Sequence, residues 1–199
     1  MALAYRRLSS RYDDEVWALL DEPPGPPPRH LSAFVSSLAP AAAALDLGCG
    51  DGRLSELIEA GSLTIADVSE VALDRARARL AHATAVALNP DACLPFADNA
   101  FDLVLCADTL EHVRDVQLLL SEVRRVMRPG GRLALTTPAH GRLTGLAVAV
   151  RGFERYFDPL SPHLRFLSGR SLARLLDSMG FEVRRLSREA GTLLAIATR

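Results

Sequence analysis

No lysine occurs in the chain, and all 23 basic residues are arginine. With abundant alanine and few isoleucines, asparagines and glutamines, this bias reads as the imprint of a GC-rich genome and carries no mechanism. Cysteine is scarce as well. The 3 residues Cys49, Cys93 and Cys106 form no C-x-x-C pair, and their odd number and scatter argue against a disulfide framework or a zinc site. Free thiols in a reducing compartment are expected, and no metal. No run of about eighteen apolar residues is present to span a bilayer, and Met1 to Arg7 lack the apolar core of a secretory leader. A cytoplasmic location is therefore expected. Charge of one sign is also missing: 24 acidic against 23 basic residues leave a formal net charge of -1, which sets up no field for polyphosphate. Nucleic acid is not an expected partner.

What remains is a soluble globular composition, 49% hydrophobic and 24% charged, in 199 residues. That length suits one well-buried domain spanning 1–199. Strand patterns at 42–47, 63–67, 83–88, 101–107 and 131–137 alternate with helix patterns at 53–60, 69–81 and 114–127. Such alternation predicts an α/β fold, a parallel sheet with helices on both faces. A helix over 168–179 stops at Gly180, and 181–186 with 192–198 reads as a closing hairpin. Before the sheet, Leu8, Tyr12, Val16, Trp17, Leu19 and Leu20 recur at helical spacing up to a proline run ending at Pro28. A second short helix follows over 29–38.

Ala44 to Leu57 compresses an apolar strand, a three-glycine turn and a helix start into one stretch. Glycines at 48, 50 and 52 let the backbone turn sharply and aim amides at a ligand. A dinucleotide fingerprint, G-x-G-x-x-G, would need glycine where Arg53 stands. Farther on, Asp67 ends an apolar strand where a carboxylate can accept both hydroxyls of a ribose. Asp67 supports an adenosine without choosing its cofactor.

Further motifs follow in order: Asn89 to Phe96 (N-P-D-A-C-L-P-F), Phe101 to Val113 (F-D-L-V…L-E-H-V), and Leu120 to Leu133. The last reads "helix, M-R-P-G-G, strand". With the Asp46 to Gly52 turn, these resemble the class I S-adenosylmethionine (SAM) dependent methyltransferases, in particular small-molecule members of the quinone-biosynthesis and natural-product kind. Met127-Arg128 replaces the usual Leu-Lys. The resemblance implies a Rossmann-like, doubly wound, seven-stranded, mostly parallel sheet with a C-terminal antiparallel hairpin. It also implies SAM as cofactor. Asp46 and Gly48, in the turn with Cys49 and Gly50, would lie beside the methionine part. Asp67 would hold the ribose, Val68 would pack on adenine, Asp91 would meet its amino group, and the Ala92 amide a ring nitrogen. Cys106, Ala107 and Asp108 would floor the transferred methyl, Ala107 through its backbone. N-terminal helices within 1–40 would cap the cofactor, with Tyr12 and Arg29 in contact. Tyr12 also fits a packing residue, and Asp91 a turn-forming aspartate.

The resemblance implies methyl transfer to a small-molecule acceptor, with a hydroxyl oxygen expected. Two alternatives stay open: a non-catalytic SAM-binding sensor or partner subunit, and an NAD-dependent oxidoreductase, which Arg53 counts against. His112, His140 and His163 are the candidate general bases because each lies near a strand end on the ligand edge. Cys106 is disfavoured as a base, since buried cysteine behaves as a small hydrophobe. The segment 138–167 reads as an acceptor-side insert. Within 141–157, Leu143, Leu146, Ala147, Val150 and Phe153 recur at helical spacing. That suits a lid, plain packing or a peripheral membrane contact. Arg151, Arg155 or Arg165 could hold a carboxylate-bearing acceptor. Oligomeric state is not legible.

Overall fold

A computed structural model of the chain describes residues 13–20, 25–90, 92–152 and 163–199. Its strands are β1 Ala41–Leu47, β2 Ala60–Asp67, β3 Thr84–Ala87, β4 Phe101–Ala107, β5 Met127–Pro138, β6 Glu182–Glu189 and β7 Thr192–Thr198. Its helices are a segment α1 over 13–19, then α2 Arg29–Ser36, α3 Glu70–Arg79, α4 Val116–Val126, α5 Arg142–Arg151 and α6 Gly169–Ser178. One sheet takes the strands in the order β3-β2-β1-β4-β5-β7-β6. The pairings among β1 to β5 are parallel and those of β7 antiparallel. This is the expected Rossmann-like sheet with its antiparallel hairpin.

The central strands read as unbroken apolar runs because both faces are covered. Leu45, Leu47, Val104, Leu133 and Leu135 point to the face carrying α4 and α6, where they meet Leu120, Val123, Leu172 and Leu176. The alternate residues Ala44, Ile65, Leu103 and Leu105 point to the opposite face and meet Leu31 and Phe34 of α2 and Leu73 and Ala76 of α3. Strand order reverses between β1 and β4, so a crevice opens beyond Leu47 and Ala107, the usual ligand position in such sheets. The β6–β7 turn consists of Ala190 and Gly191, both at positive φ (46° and 87°), the backbone that matches strand twist in a two-residue hairpin.

Two local expectations are corrected. The helix predicted over 53–60 is only a 3-10 turn at Ser55–Leu57. β2 begins at Ala60, paired with Ala41, three residues ahead of the predicted 63, and Ile58 is already extended. Tertiary pairing thus claims the residues a helix would have needed. β5 likewise starts at Met127 rather than 131, because Met127 pairs with Phe101 before an irregularity at the P-G-G passage restores register at Leu103 and Arg132. Outside the sheet, α5 turns Leu146 and Val150 to solvent, 62% and 74% exposed. Among the described residues no helix is long and apolar enough to cross a membrane.

Two polar clamps hold the crevice in place. Asp102, the acid of the F-D motif, accepts the Ala42 and Ala43 amides at 2.9 and 2.8 Å, pinning the start of β1 to β4. The Arg125 guanidinium donates to the carbonyls of Leu94 and Phe96 and to Glu122 and Asp98, while Glu122 accepts the Leu94 amide at 2.8 Å. The loop carrying Ala92 is thereby tied to α4. For Asp102, burial raises the carboxyl pKa, but the amides of Ala42 and Ala43 outweigh it and leave the pKa below its ordinary value. A depressed pKa stabilises the fold above the unfolded-state value and is lost as pH falls through the folded one. Asp102→Ala should therefore cost about 1–3 kcal/mol at pH 7 in urea unfolding, with the difference from the parent shrinking near pH 3.

Candidate active site

At the end of β1 the chain enters the glycine turn, with Gly48 at φ 75° and Gly50 at φ 54°. Close neighbours forbid side chains there. A Cβ on Gly48 would run into the Thr109 hydroxyl, and one on Gly50 would lie 2.7 Å from the Trp17 ring. Thr109, just beyond β4, donates to the carbonyls of Leu47 and Ala107 at 3.3 and 3.0 Å, which laces the turn to the neighbouring strand end. Cys49 and Cys106 are buried, and burial, with nearby carboxylates, pushes both thiols well above their ordinary range. They are inert side chains at neutral pH.

Asp46 and Asp67 occupy adjacent strands, 1% and 7% exposed. Asp46 Oδ2 accepts the Ser55 hydroxyl at 2.6 Å, whereas Oδ1 is buried with no hydrogen-bond partner among the described residues. Burial, against the Ser55 bond and with the charge of Asp67 adding, pushes the Asp46 carboxyl up to about 7. Asp67 is also raised by burial, although it accepts the amides of Gly50 and Ser69, each at 2.9 Å. The two acids make the crevice a place for donors and positive charge. An orphaned carboxylate oxygen suits an ammonium group, and a carboxylate held by backbone amides keeps lone pairs for sugar hydroxyls.

α1 lies across this crevice. Asp14 accepts the Ser69 hydroxyl at 2.7 Å, Trp17 stands on Gly50, and the Arg75 guanidinium sits 5.9 Å from the Trp17 ring. Burial and the charge of Asp67 raise the Asp13 pKa, which His112 and Arg114 oppose. Sequence reading placed Trp17 only as a packing residue. The functional signal available was a lone tryptophan ahead of the glycine turn.

The edge beyond β4 and β5 gathers all three predicted histidines. Leu164 N–H donates to the Glu111 carbonyl and His140 N–H to the Leu167 carbonyl, both at 2.8 Å, and Leu167 bridges Ala139. Residues 163–167 are thus laid against the ends of β4 and β5. His112 and His163 meet edge to face with ring centroids 4.8 Å apart. His140 meets Phe166 at 5.0 Å, and both of its ring nitrogens are buried without a hydrogen-bond partner among the described residues. Burial, with His163 and Arg188, lowers the His140 pKa. Beside the histidines Glu111, 1% exposed, accepts the Thr137 hydroxyl at 3.0 Å. Glu111 had no role in the sequence reading; its place in the L-E-H motif was the signal.

The other candidates divide. Val68 is half-buried beside Asp67, and Asp108 is exposed at φ 47°, its carboxylate accepting the Thr136 hydroxyl at 2.8 Å. The Ala107 carbonyl already accepts Thr109, and the Ala92 amide already donates to the Asn89 carbonyl at 3.2 Å. Arg29 is exposed at the start of α2, next to His30, which bonds Thr192 at 3.0 Å on the crevice edge. Arg165 is spent on the carbonyls of Val113 and Arg114, so it does not offer the carboxylate site expected of it. Tyr12, Asp91 and Arg155 lie outside the described residues.

The family described as "Methyltransferase domain" matches residues 45–135, the stretch that builds both acids and the β4 edge. The chain carries a class I SAM-dependent methyltransferase domain. A Mycolicibacterium smegmatis protein named a probable S-adenosylmethionine-dependent methyltransferase is 36% identical over 149 residues, 70% of this chain and 51% of that protein. A malonyl-[acyl-carrier protein] O-methyltransferase of Methylococcus capsulatus is 32% identical over 154 residues, 74% of this chain and 54% of the relative. The chain thus spans about half the length of these curated relatives. The solved S-adenosylmethionine-dependent methyltransferase of Mesorhizobium loti superposes with a TM-score of 0.64 at 20% identity, over 84% of this chain and 96% of that one, and shows the shared fold.

SAM is the cofactor of this methyltransferase domain, and the crevice fits it: an orphaned acid for an ammonium, a second acid for hydroxyls, and a glycine-lined wall. For an acid raised to about 7, the folded state holds its proton longer than the unfolded chain. That stabilisation is complete below about pH 4 and is lost as pH rises through about 7. Asp46→Asn should therefore raise the stability of the ligand-free protein at pH 8 by roughly 1–3 kcal/mol while abolishing stabilisation by SAM, read by thermal unfolding across pH 5–8.

Proposed function

We propose that this domain transfers a methyl group from SAM to an oxygen of a small molecule, with a hydroxyl acceptor and His140 receiving its proton. The observation that carries the reading is that the buried acids Asp46 and Asp67, on β1 and β2, and a histidine edge beyond β4 and β5 lie along the same end of one sheet. Bound SAM supplies a methyl group on a sulfonium, which leaves the protein mainly to position and desolvate.

In this proposal Asp46 Oδ1 accepts the ammonium of the methionine part, with Gly48, Cys49 and Gly50 giving backbone approach. Asp67 accepts the ribose hydroxyls, and Val68, Asp91 and Ala92 line the adenine side. Cys106, Ala107 and Asp108 form the floor at the reacting centre. His140 accepts the hydroxyl proton as the acceptor oxygen attacks, supported by its two unpartnered ring nitrogens. His163, near enough to influence His140, shapes the same edge. Exposed Leu146 and Val150 on α5, which directly follows this edge, favour an acceptor with an apolar portion.

A carboxylate oxygen is the second reading, favoured by the malonyl-[acyl-carrier protein] O-methyltransferase relative. It needs no base, so His140 separates the two. With a hydroxyl acceptor, His140→Ala should lower kcat about 10²–10⁴-fold with SAM affinity unchanged; with a carboxylate acceptor kcat should hardly move.

The cofactor half is tested first, by thermal unfolding with SAM, S-adenosylhomocysteine and NAD. SAM at about a hundredfold over its Kd should add about 2.7 kcal/mol and raise Tm by several degrees, NAD should do nothing, and Asp67→Ala should erase the SAM shift. A shift with NAD alone would reopen the oxidoreductase alternative. Failure to form S-adenosylhomocysteine with hydroxylated or carboxylated acceptors, despite SAM binding, would favour the sensor reading.

A further inference from the structure

We infer that Glu111, His112 and His163 form a binding site for a divalent first-row transition-metal ion, placed to hold the acceptor oxygen during methyl transfer. One ligand atom from each residue falls within 4.8 Å of the others. The set is a two-histidine, one-carboxylate face, the composition that binds zinc, iron(II) or manganese and leaves coordination positions open for a substrate.

The cluster is built by long-range structure and does not arise from one helix turn. Glu111 is fixed by its burial and by the Thr137 hydroxyl on Oε2, the kind of outer support that orients metal-binding carboxylates. His163 comes from a segment fifty residues on, and three bonds sew that segment to the Glu111 strand end. Leu164 N–H donates to the Glu111 carbonyl at 2.8 Å, and the Arg165 guanidinium donates to the carbonyls of Val113 and Arg114. A cation about 2.1 Å from each ligand atom would hold those atoms roughly 3.4 Å apart. The 4.8 Å spread therefore has to close by side-chain rotation on binding, and His112 is the exposed member of the set.

The catalytic part of the inference rests on the methyl-transfer reading. A cation here makes a bound hydroxyl more acidic and fixes its direction. The acceptor O–H proton passes to His140, the new bond is C–O, the bond broken is C–S, and S-adenosylhomocysteine leaves. The metal changes neither charge nor redox state, so no further reactant is needed.

The test is titration of the metal-stripped full chain with Co²⁺, followed by its visible ligand-field absorption, and with Mn²⁺ by electron paramagnetic resonance. SAM-induced thermal shift is measured on the same samples. One equivalent should bind per chain, and His112→Ala and His163→Ala should each weaken binding at least tenfold while the SAM shift persists. His112 is exposed, so its variant keeps the test meaningful should His163→Ala fold poorly. No saturable uptake, or uptake unchanged in both variants, overturns the metal site; with an intact SAM shift, such a result leaves the methyl-transfer reading standing. Loss of the SAM shift in the parent protein would strike that reading instead.

Discussion

The parallel register of β1 against β4 is the constraint on which the crevice depends. With Asp46 opposite Leu105, both strands run out at the same level, and the chain must reverse in glycine at one end while Thr109 leans across from the other. A slip of one residue would exchange the faces of every β1 side chain, sending Asp46 under α4 and α6 and Leu45 to the face packed by α2 and α3. Asp102 matters for that reason: its carboxylate takes two amides of β1 before the ladder begins and so selects the register.

Placing two acids at that level works against stability. Both carboxyls are raised by burial, and the Asp46 oxygen left without a donor has no structural use that the fold itself supplies. Local rules are broken where a ligand is meant to complete them. The surroundings compensate with inexpensive parts: Ser55 on one acid, backbone amides on the other, and α1 laid over both.

Much of this was legible in the sequence because it is local. Strand runs, the glycine turn, Asp67 and the closing hairpin follow from short-range patterns, and they stand within a few residues of where those patterns put them. The predicted helix at 53–60 failed because pairing of Ala60 with Ala41 is a long-range event that no window of sequence contains. Arg165 misled in the same way, since a guanidinium reads as an anion site until its carbonyl partners are known. Glu111 and His163 could not be associated from spacing, because backbone bonds of an aperiodic segment bring them together.

The sheet also has two ends, and neither invites a neighbour. β3 offers only 4 residues, too short a template for another strand. β6, at the other end, presents Glu182, Arg184, Arg185, Arg188 and Glu189 to solvent, so an incoming strand would have to desolvate a row of charges. Growth of the sheet by edge addition is therefore resisted on both sides, and any self-association of the described fold is left to its helical faces.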